Sequence, residues 1–596
     1  MRSNRLYSWI ATAVALGVCP LLVTPASAQR GGPEPPTGVA ANGYADRNEI
    51  VWKPVSVAGF QGYNIYRSES ESGPFSKLNT SPLTDARYSD PTDEGCPRYY
   101  YYATALVDGD ESSPSQVVSA LYNGLTDDEL LDLVQQETLR YFWDYGHPVC
   151  GMAREGYGFG HSSDTVTTGG TGMGLMTIVV GAQRGFVTRE DAAMRVATIL
   201  TFLDENVERY HGAWAHHYNG FTGETIPFAG YQDNGGDLVE TAFLVEGILT
   251  ARQYFDDPND FVESYIRDKA TSMWEGVEWD WYRRYPDSNI LYWHWSPDYG
   301  WAMNHQIRGF NEAMIVYLLA VASPTHPMPP ESYHEGWAGL SSYVNGNSYY
   351  GYPIWVGPPY GGPLFWTHYS HLGFDPRYKR DVYANYFANC RNISLINRAH
   401  CIENPNGFAG YSPLVWGLTA SFNPWGYAAH SPTYDNGTIA PTAAISAMPY
   451  ALEESLATLR HFYDVYGAQL FGPYGFYDAF NLEVNWFAPG YVAIDEGTIV
   501  PMIENYRTGL CWRLFMSNPE IRPMMTAIDM YFDVDFEYDG DIDATDFAVF
   551  ANCLAGPDVT TVPEGCTPAQ FAGSDLDDDS DVDLRDAAIF QTLFAP

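Results

Sequence analysis

Residues 232–249 read QDNGGDLVETAFLVEGIL. Three carboxylates, Asp233, Asp237 and Glu240, stand around two glycines at the start of a segment that is otherwise apolar nearly all round. A helix with so little polar face belongs inside a protein. Asp237 and Glu240 are three apart, hence on one face of that helix, and their spacing also fits a capping box. The same entry recurs: Asp435-Asn436-Gly437 leads into TIAPTAAISAMPY, and Asp495-Glu496-Gly497 into TIVPMIENYRTGL. Asp164, ahead of TVTTGGTGMGLMTIVVG, is a looser version. Locally, Asp caps the helix and Gly allows the turn. The repetition adds that several buried helices start in the same way, as they would if those starts met at one end of a ring.

Outward from these stretches, the hydrophobic period stays near 3.6 from Leu125 to about residue 526. LTDDELLDLVQQETLRYFWDYG opens with Thr126-x-x-Glu129, a second capping box. Further helices are expected at about 171–184, 188–207, 237–255, 260–277, 311–322, 377–390, 439–463 and 496–516. The loops between them are long and rich in Gly, Pro, Trp and His, and no short fixed period marks a solenoid. The expected architecture for 123–526 is an α/α toroid, with inner helices around a funnel and loops at its mouth.

The flanks differ. Residues 1–28 read as a secretory leader: basic MRSNR, a short apolar run, and a small-residue cleavage site ending at Ala28. Residues 29–36 are a Pro/Gly linker. Residues 37–122 alternate in short runs, EIVWKPV, YNIYRSE and RYYYYATALVD, with turn residues between; this is the pattern of a small β-sandwich. Its Trp and Tyr positions resemble a fibronectin type III domain. From residue 533 to 596 two acidic loops, DFEYDGDIDATD and DLDDDSDVDLRD, place oxygen ligands where a calcium loop needs them. The expected ligands are Asp535, Glu537, Asp539, Asp541, Asp543 and Asp546, then Asp575, Asp577, Asp579, Asp581, Asp583 and Asp586. An apolar helix start follows each loop. Together they make a small α-helical calcium module, and the pair resembles a type I dockerin, which implies a cohesin-like partner. Ser580 stands where the first loop has Gly540, and the insert between the loops is long and carries cysteines.

The chain of 596 residues carries a formal charge of −42, which falls further once Arg2 and Arg5 leave with the leader. Such a field repels nucleic acid and anionic membranes and suits a neutral substrate. No apolar run after the leader approaches the ~20 residues of a membrane span. The expectation is an exported monomer, periplasmic, cell-surface or extracellular. Aromatic residues make up 15 %, with 45 Tyr and 17 Trp, and offer faces for sugar rings as well as core packing. Cys390 with Cys401, Cys553 with Cys566, and Cys96 with Cys150 are the expected disulfides; Cys511 is left over on an apolar helix.

Glycoside hydrolysis needs a carboxylic acid to protonate the leaving oxygen and a second carboxylate to activate water or attack. The 233–240 cluster supplies like charges that keep a carboxyl protonated. NHQIRGFNEAMIVYLLA (304–320) places Glu312 at a helix start, near His305 and Arg308, with Trp293, Trp295 and Trp301 upstream. A Glu there also suits the helix dipole, at about 0.3–1 kcal/mol.

The motifs DNGGDLVETAFL, GFNEAM and AIDEGTIVPMIENYRTGL, in that order over the region from about 125 to 525, resemble the glucoamylase-like family that contains bacterial endo-β-1,2-glucanases. The resemblance implies an (α/α)6 toroid, a β-1,2-glucan substrate, inversion, and no cofactor for catalysis. It implies Glu312 as general acid and important acids at Asp233, Asp237, Glu240 and Asp495, with the base among them left open. Trp293, Trp295, Trp301, Trp366, Trp416 and Tyr427 are candidates to hold glucose rings, and His216, His305, Arg308 and His368 to bind hydroxyls. The rivals are an exo-acting hydrolase of α-glucans, a polysaccharide lyase, which the acidic balance speaks against, and a non-catalytic glycan-binding or scaffold protein.

Overall fold

The computed structural model describes residues 32–593 except 45–46, 56, 93–97, 121–123, 229, 538–541 and 577–579. The leader, the start of the linker, Cys96, Asp539, Gly540, Asp541, Asp577 and Asp579 therefore lie outside the described residues.

The N-terminal part is β-rich. Ala40–Gly43, Arg47–Val51 and Arg87–Pro91 form one antiparallel sheet; Phe60–Ser68 and Tyr99–Val107 are central to a second. Alternation puts Ile50, Trp52, Tyr63, Ile65 and Tyr101 in one core, with Trp52 and Tyr63 edge-to-face at 5.1 Å. The Tyr101 hydroxyl donates to Asp90 at 2.7 Å and so ties the sheets together.

Helices then dominate: α1 (Asp127–Trp143), α2 (Thr168–Arg184), α3 (Arg189–Glu205), α4 (Leu238–Tyr254), α5 (Phe261–Glu275), α6 (Met314–Ala322), α7 (Phe365–His368), α8 (Tyr386–Glu403), α9 (Pro441–Ser446), α10 (Leu452–Leu470), α11 (Ala493–Glu496), α12 (Ile499–Arg507), α13 (Leu510–Met516) and α14 (Ile521–Ala527). The most buried of these pack side by side in a closed series. α2 lies against α4, α4 against α6, and α6 against the turn after α7; α9 lies against α12 and α12 against α2. The Tyr450 hydroxyl, just past α9, closes the series by donating to the Thr367 carbonyl at 3.0 Å. α1, α3, α5, α8, α10 and α14 back this ring. The capping box at Thr126 is present, with Glu129 returning to the Thr126 N–H.

Several expected boundaries move. The helix expected over 377–390 occupies 386–403, because Asn385 is its cap and Lys379–Arg380 pairs as a strand with Tyr531–Phe532. The expected 439–463 helix is two, interrupted around Pro449, which has no N–H to give. The expected 496–516 helix breaks at Gly509, whose φ of 69° is left-handed. The expected Cys390–Cys401 disulfide is absent: both residues are on α8 and free, about 16 Å apart along its axis, far beyond bridging reach. Cys553 and Cys566 do form a disulfide, while Cys150 and Cys511 are free and buried.

The N-terminal sheets rest on α10. The Asn42 amide donates to the Ala457 carbonyl at 2.5 Å and pairs with His461 at 3.1 Å, and Arg87 bridges to Glu453 at 2.9 Å. At the other end, helices α15 (Ala544–Cys553), α16 (Pro568–Ser574) and α17 (Leu584–Leu593) close a small core of Val534, Phe536, Phe550, Val582 and Phe590. No helix among the described residues is long and apolar enough to cross a membrane.

Candidate active site

The start of α4 is capped, but only by half of the expected box. Asp237 Oδ1 accepts the N–H groups of Val239 and Glu240 at 3.1 and 3.0 Å. The Asp237 N–H goes to the Trp214 carbonyl, so Glu240 does not return to it. Instead Glu240 reaches across to α2 and accepts the Gly169 N–H at 2.7 Å. A Cβ at residue 169 would stand 2.5 Å from that carboxylate oxygen, so glycine is what admits it.

Asp237 Oδ2 faces two imidazoles, His216 Nδ1 at 3.1 Å and His294 Nε2 at 3.3 Å. His294 is brought there by the short strand pair Gly236–Asp237 with His294–Trp295. Burial alone would raise the Asp237 carboxyl, but His294 and His216 outweigh it and hold the group well below the usual carboxylate range. Burial would lower His216; Glu240, Asp237 and Glu155 outweigh that and push it up to about 10. His216 and Asp237 thus form a buried ion pair. Glu240 is pushed up to about 7 by burial, against the pull of His216 and with Asp237 adding to the rise. Asp233 is buried and accepts the Phe228 N–H at 2.7 Å; the Phe228 ring lies flat on His216 at 4.4 Å. Asp233 therefore reaches the cluster through the loop it holds.

Glu312 is half-buried in the turn just before α6, not inside the helix as its spacing suggested. Asn311 Oδ1 accepts the Ala313 N–H at 2.9 Å, and the Ser370 hydroxyl joins the Glu312 carbonyl to the Ile315 N–H. Burial pushes the Glu312 carboxyl up to about 7, and the charge of Glu240 adds to it.

Asp495 stands on α11, where Thr442 anchors its carbonyl at 2.6 Å. Its carboxyl receives the Tyr427 hydroxyl at 3.1 and 3.2 Å and the Tyr369 hydroxyl at 3.4 Å. Burial, and then Asp478 beside it, hold it well above the ordinary value. Asp495, Glu312 and Glu240 all act on the Tyr369 hydroxyl. The three carboxyls expected from separate stretches of sequence therefore bear on one tyrosine, Asp495 at hydrogen-bonding distance and Glu312 and Glu240 through their charge.

The aromatic candidates divide. The Trp293 ring stacks on His305 at 4.8 Å and on His294 at 5.8 Å, next to Asp237. Trp295 and Trp301 join Trp281 in a partly exposed aromatic group with His211. Trp366 is half-buried, one turn before Tyr369. Tyr427 is 47 % exposed while its hydroxyl points at Asp495. Arg308 is committed to the turn at 333–337, donating to the carbonyls of Gly336 and Glu335. Two expectations are corrected. Trp416 is fully buried, its indole N–H on Thr458 at 2.7 Å, and is a core residue. His368 is 2 % exposed, parallel to Tyr450, and pushed down to about 3 by burial, so it is a neutral core imidazole. His294, Tyr369, Asp478 and the Glu155–His217 pair (2.9 Å) were not singled out from the sequence. His294 lies in YWHWS between two tryptophans that were; Asp478, in GFYDAF, carries no such signal.

A half-buried carboxyl that keeps its proton near neutrality can donate it, and carboxylates across the same space can accept one. That is the equipment of acid–base hydrolysis.

Known proteins agree. Residues 304–519 match the family model described as "Putative glucoamylase". An exo β-1,2-glucooligosaccharide sophorohydrolase (non-reducing end) of Parabacteroides distasonis is 43 % identical over 507 residues, spanning 81 % of this chain and 69 % of that protein. The crystal structure of a β-1,2-glucanase from Parabacteroides distasonis shares 42 % identity over 83 % of this chain and 73 % of its own, with a TM-score of 0.67. An endo-β-1,2-glucanase from Chitinophaga pinensis, solved with sophorotriose and glucose, shares 46 % identity over 68 % of this chain and 99 % of its own, at a TM-score of 0.66. The chain belongs to this glucoamylase-like family of glycoside hydrolases.

Proposed function

We propose that the protein hydrolyses β-1,2-glucan, with Glu312 as the acid that protonates the departing glycosidic oxygen. The observation that carries this reading is Asp495 at hydrogen-bonding distance from Tyr369, with the charges of Glu312 and Glu240 bearing on the same hydroxyl and burial holding the proton on Glu312 near pH 7. The substrate class is supported by relatives that act on β-1,2-linked glucose. The ring of buried helices supports an (α/α)6 toroid. Water is activated on the opposite side by Asp495 or the 237–240 pair, and attack from that side inverts the anomeric carbon. For an inverting pair the carboxyls stand about 6.5–9.5 Å apart, or further if a water chain bridges them. Trp293 and Tyr427, beside the acids and accessible, are the first candidates to hold glucose rings.

The test is Glu312→Gln on linear β-1,2-glucan. The variant should fold and lose turnover by about 100-fold or more, the share of a general acid. Near-wild-type turnover removes Glu312 from the mechanism. Endo action is the reading taken from the family motifs; the exo-acting relative favours release of short products from one chain end. Early products of mixed length identify the first, sophorose alone the second.

The flanking parts complete the proposal. The two-sheet N-terminal part is a fibronectin type III-like spacer. The C-terminal part is a dockerin-like calcium module that meets a cohesin-like partner, on an exported protein. Glu537, Asp543 and Asp546 bring carboxylate oxygens within 4.8 Å of one another, as do Asp581, Asp583 and Asp586. Converging carboxylates of this kind call for a cation. Ser580 takes a φ of 73°, the sharp turn that the first loop assigns to glycine. In both loops the last Asp accepts from the N–H of the second loop residue, Phe536 or Leu576.

A further inference from the structure

Asp478 is 2 % exposed and lies beside Asp495, within hydrogen-bonding reach of its carboxyl. One hairpin holds them together. Ala420–Asn423 pairs with Gly426–Ala429, and Phe422 stands directly across from Tyr427. The Phe422 N–H donates to Asp478 Oδ2 at 2.6 Å, while the Tyr427 hydroxyl donates to Asp495. Thr442 fixes the Asp495 backbone from below, and Tyr369 adds a third hydroxyl. Asp478 Oδ1 is buried, and no N–H or O–H of the described residues donates to it. Two buried carboxylates pressed together, one with an empty acceptor, are strongly disfavoured unless a proton lies between them.

We propose that Asp478 is a positioning residue that shares one proton with Asp495, so that the pair, carrying a single negative charge, serves as the base of the hydrolysis. The proposal rests on the reading given above, with Glu312 as acid. Water adds its oxygen to the anomeric carbon as the glycosidic C–O bond breaks. The bonding pair leaves on the departing oxygen, which takes the Glu312 proton, and the proton lost by water goes to the pair. One proton is spent and one gained, so the site is reset by transfer through solvent. The titratable groups that bear on the pair are Tyr369, Tyr427 and Glu496; Glu496 is itself buried and raised by burial and by Asp478. The first two donate to Asp495 and support its negative charge, while Glu496 opposes a second one.

The test is Asp478→Asn in the full chain. The amide keeps the shape and can still donate to Asp495, but no proton is shared. Turnover should fall about 100-fold with KM little changed. The acid limb of the kcat–pH profile should move down by about a unit or more, because Asp495 loses its like-charged neighbour. A profile lowered without moving, or unchanged, overturns the proposal. Infrared spectroscopy gives an arm independent of substrate: near neutral pH the wild type should show, beside the bands of protonated Glu312, Glu240 and Glu496, a further protonated-carboxyl band that Asp478→Asn and Asp495→Asn each remove in the wild-type-minus-variant difference. Persistence of the band in the Asp495→Asn variant overturns the proposal even if Asp478→Asn fails to fold. A wild type without activity on β-1,2-glucan overturns the functional reading instead and leaves the infrared arm standing.

Discussion

Asp237 and His216 hold opposite charges across the neutral range, and stability should follow their titration. The folded His216 titrates near 10, against about 6.5 for a free imidazole. Its contribution is complete below about 6.5 and is lost as pH rises through 10. The folded Asp237 lies below its ordinary value, so its contribution is present above about 4 and fades as pH falls. Asp237→Asn leaves a buried imidazolium without its nearest carboxylate and should cost about 3–5 kcal/mol. Urea midpoints between pH 6 and 9 check this: the variant should lose stability and much of the decline with rising pH. An unchanged slope would show that the pair is not what titrates. The sequence marked Asp237, Glu240, Glu312 and Asp495 because acid-led entries recur ahead of buried helices and lie in the motifs that resemble a glycosidase family. It did not mark Asp478 or Tyr369, whose importance comes from what folds against them. Trp416 and His368 failed for the converse reason: residue type names a chemistry, and only packing shows whether a ligand can reach it.

Helices α2 and α4 meet backbone to backbone. A Cβ on Gly172 would stand 2.1 Å from the Phe243 carbonyl oxygen, and one on Gly247 2.1 Å from that of Gly172. This close seam is what lets Glu240 on α4 reach the Gly169 N–H on α2. Gly172→Ala should therefore destabilise by about 1–3 kcal/mol or more and disturb Glu240 as well. Gly467→Ala on α10, where a Cβ meets nothing within 4 Å, should be neutral or stabilising by up to about 1 kcal/mol. Paired thermal melts separate the two, and equal behaviour would show that the seam can relax. The helical period and the caps made most of these elements legible in advance. The breaks at Pro449 and Gly509, and the displacement of α8 by a strand pairing with residues 531–532, were harder to read. Each depends on a single punctuating residue or on a partner more than a hundred residues away.

At the level of the whole molecule, the three parts differ in what holds them. The helical ring has a large apolar core, and the β-rich part has its own and leans on α10. The C-terminal part has a small core, one disulfide and two loops of converging acids, those of the second loop buried. Calcium removal should therefore act locally. A chelator should raise hydrogen exchange in residues 533–593, and added calcium should restore protection, with turnover on glucan unaffected. Exchange indifferent to calcium would exclude the metal from the folded state. The order of the three parts was legible because composition changes at each join. Their contacts were not, because they rest on scattered polar residues such as Asn42, His461, Asn385 and Asp533.

The four free thiols among the described residues have a use beyond packing. Cys150 follows α1, Cys390 and Cys401 lie on α8, and Cys511 lies on α13, so they sample different sectors of the ring. Burial raises all four, which leaves the reactive thiolate scarce until the surrounding structure opens. They amount to built-in gauges of breathing, to be read by mass spectrometry after timed alkylation. Four equal rates would mean a ring that opens only as a whole; one fast site would locate the sector that gives way first.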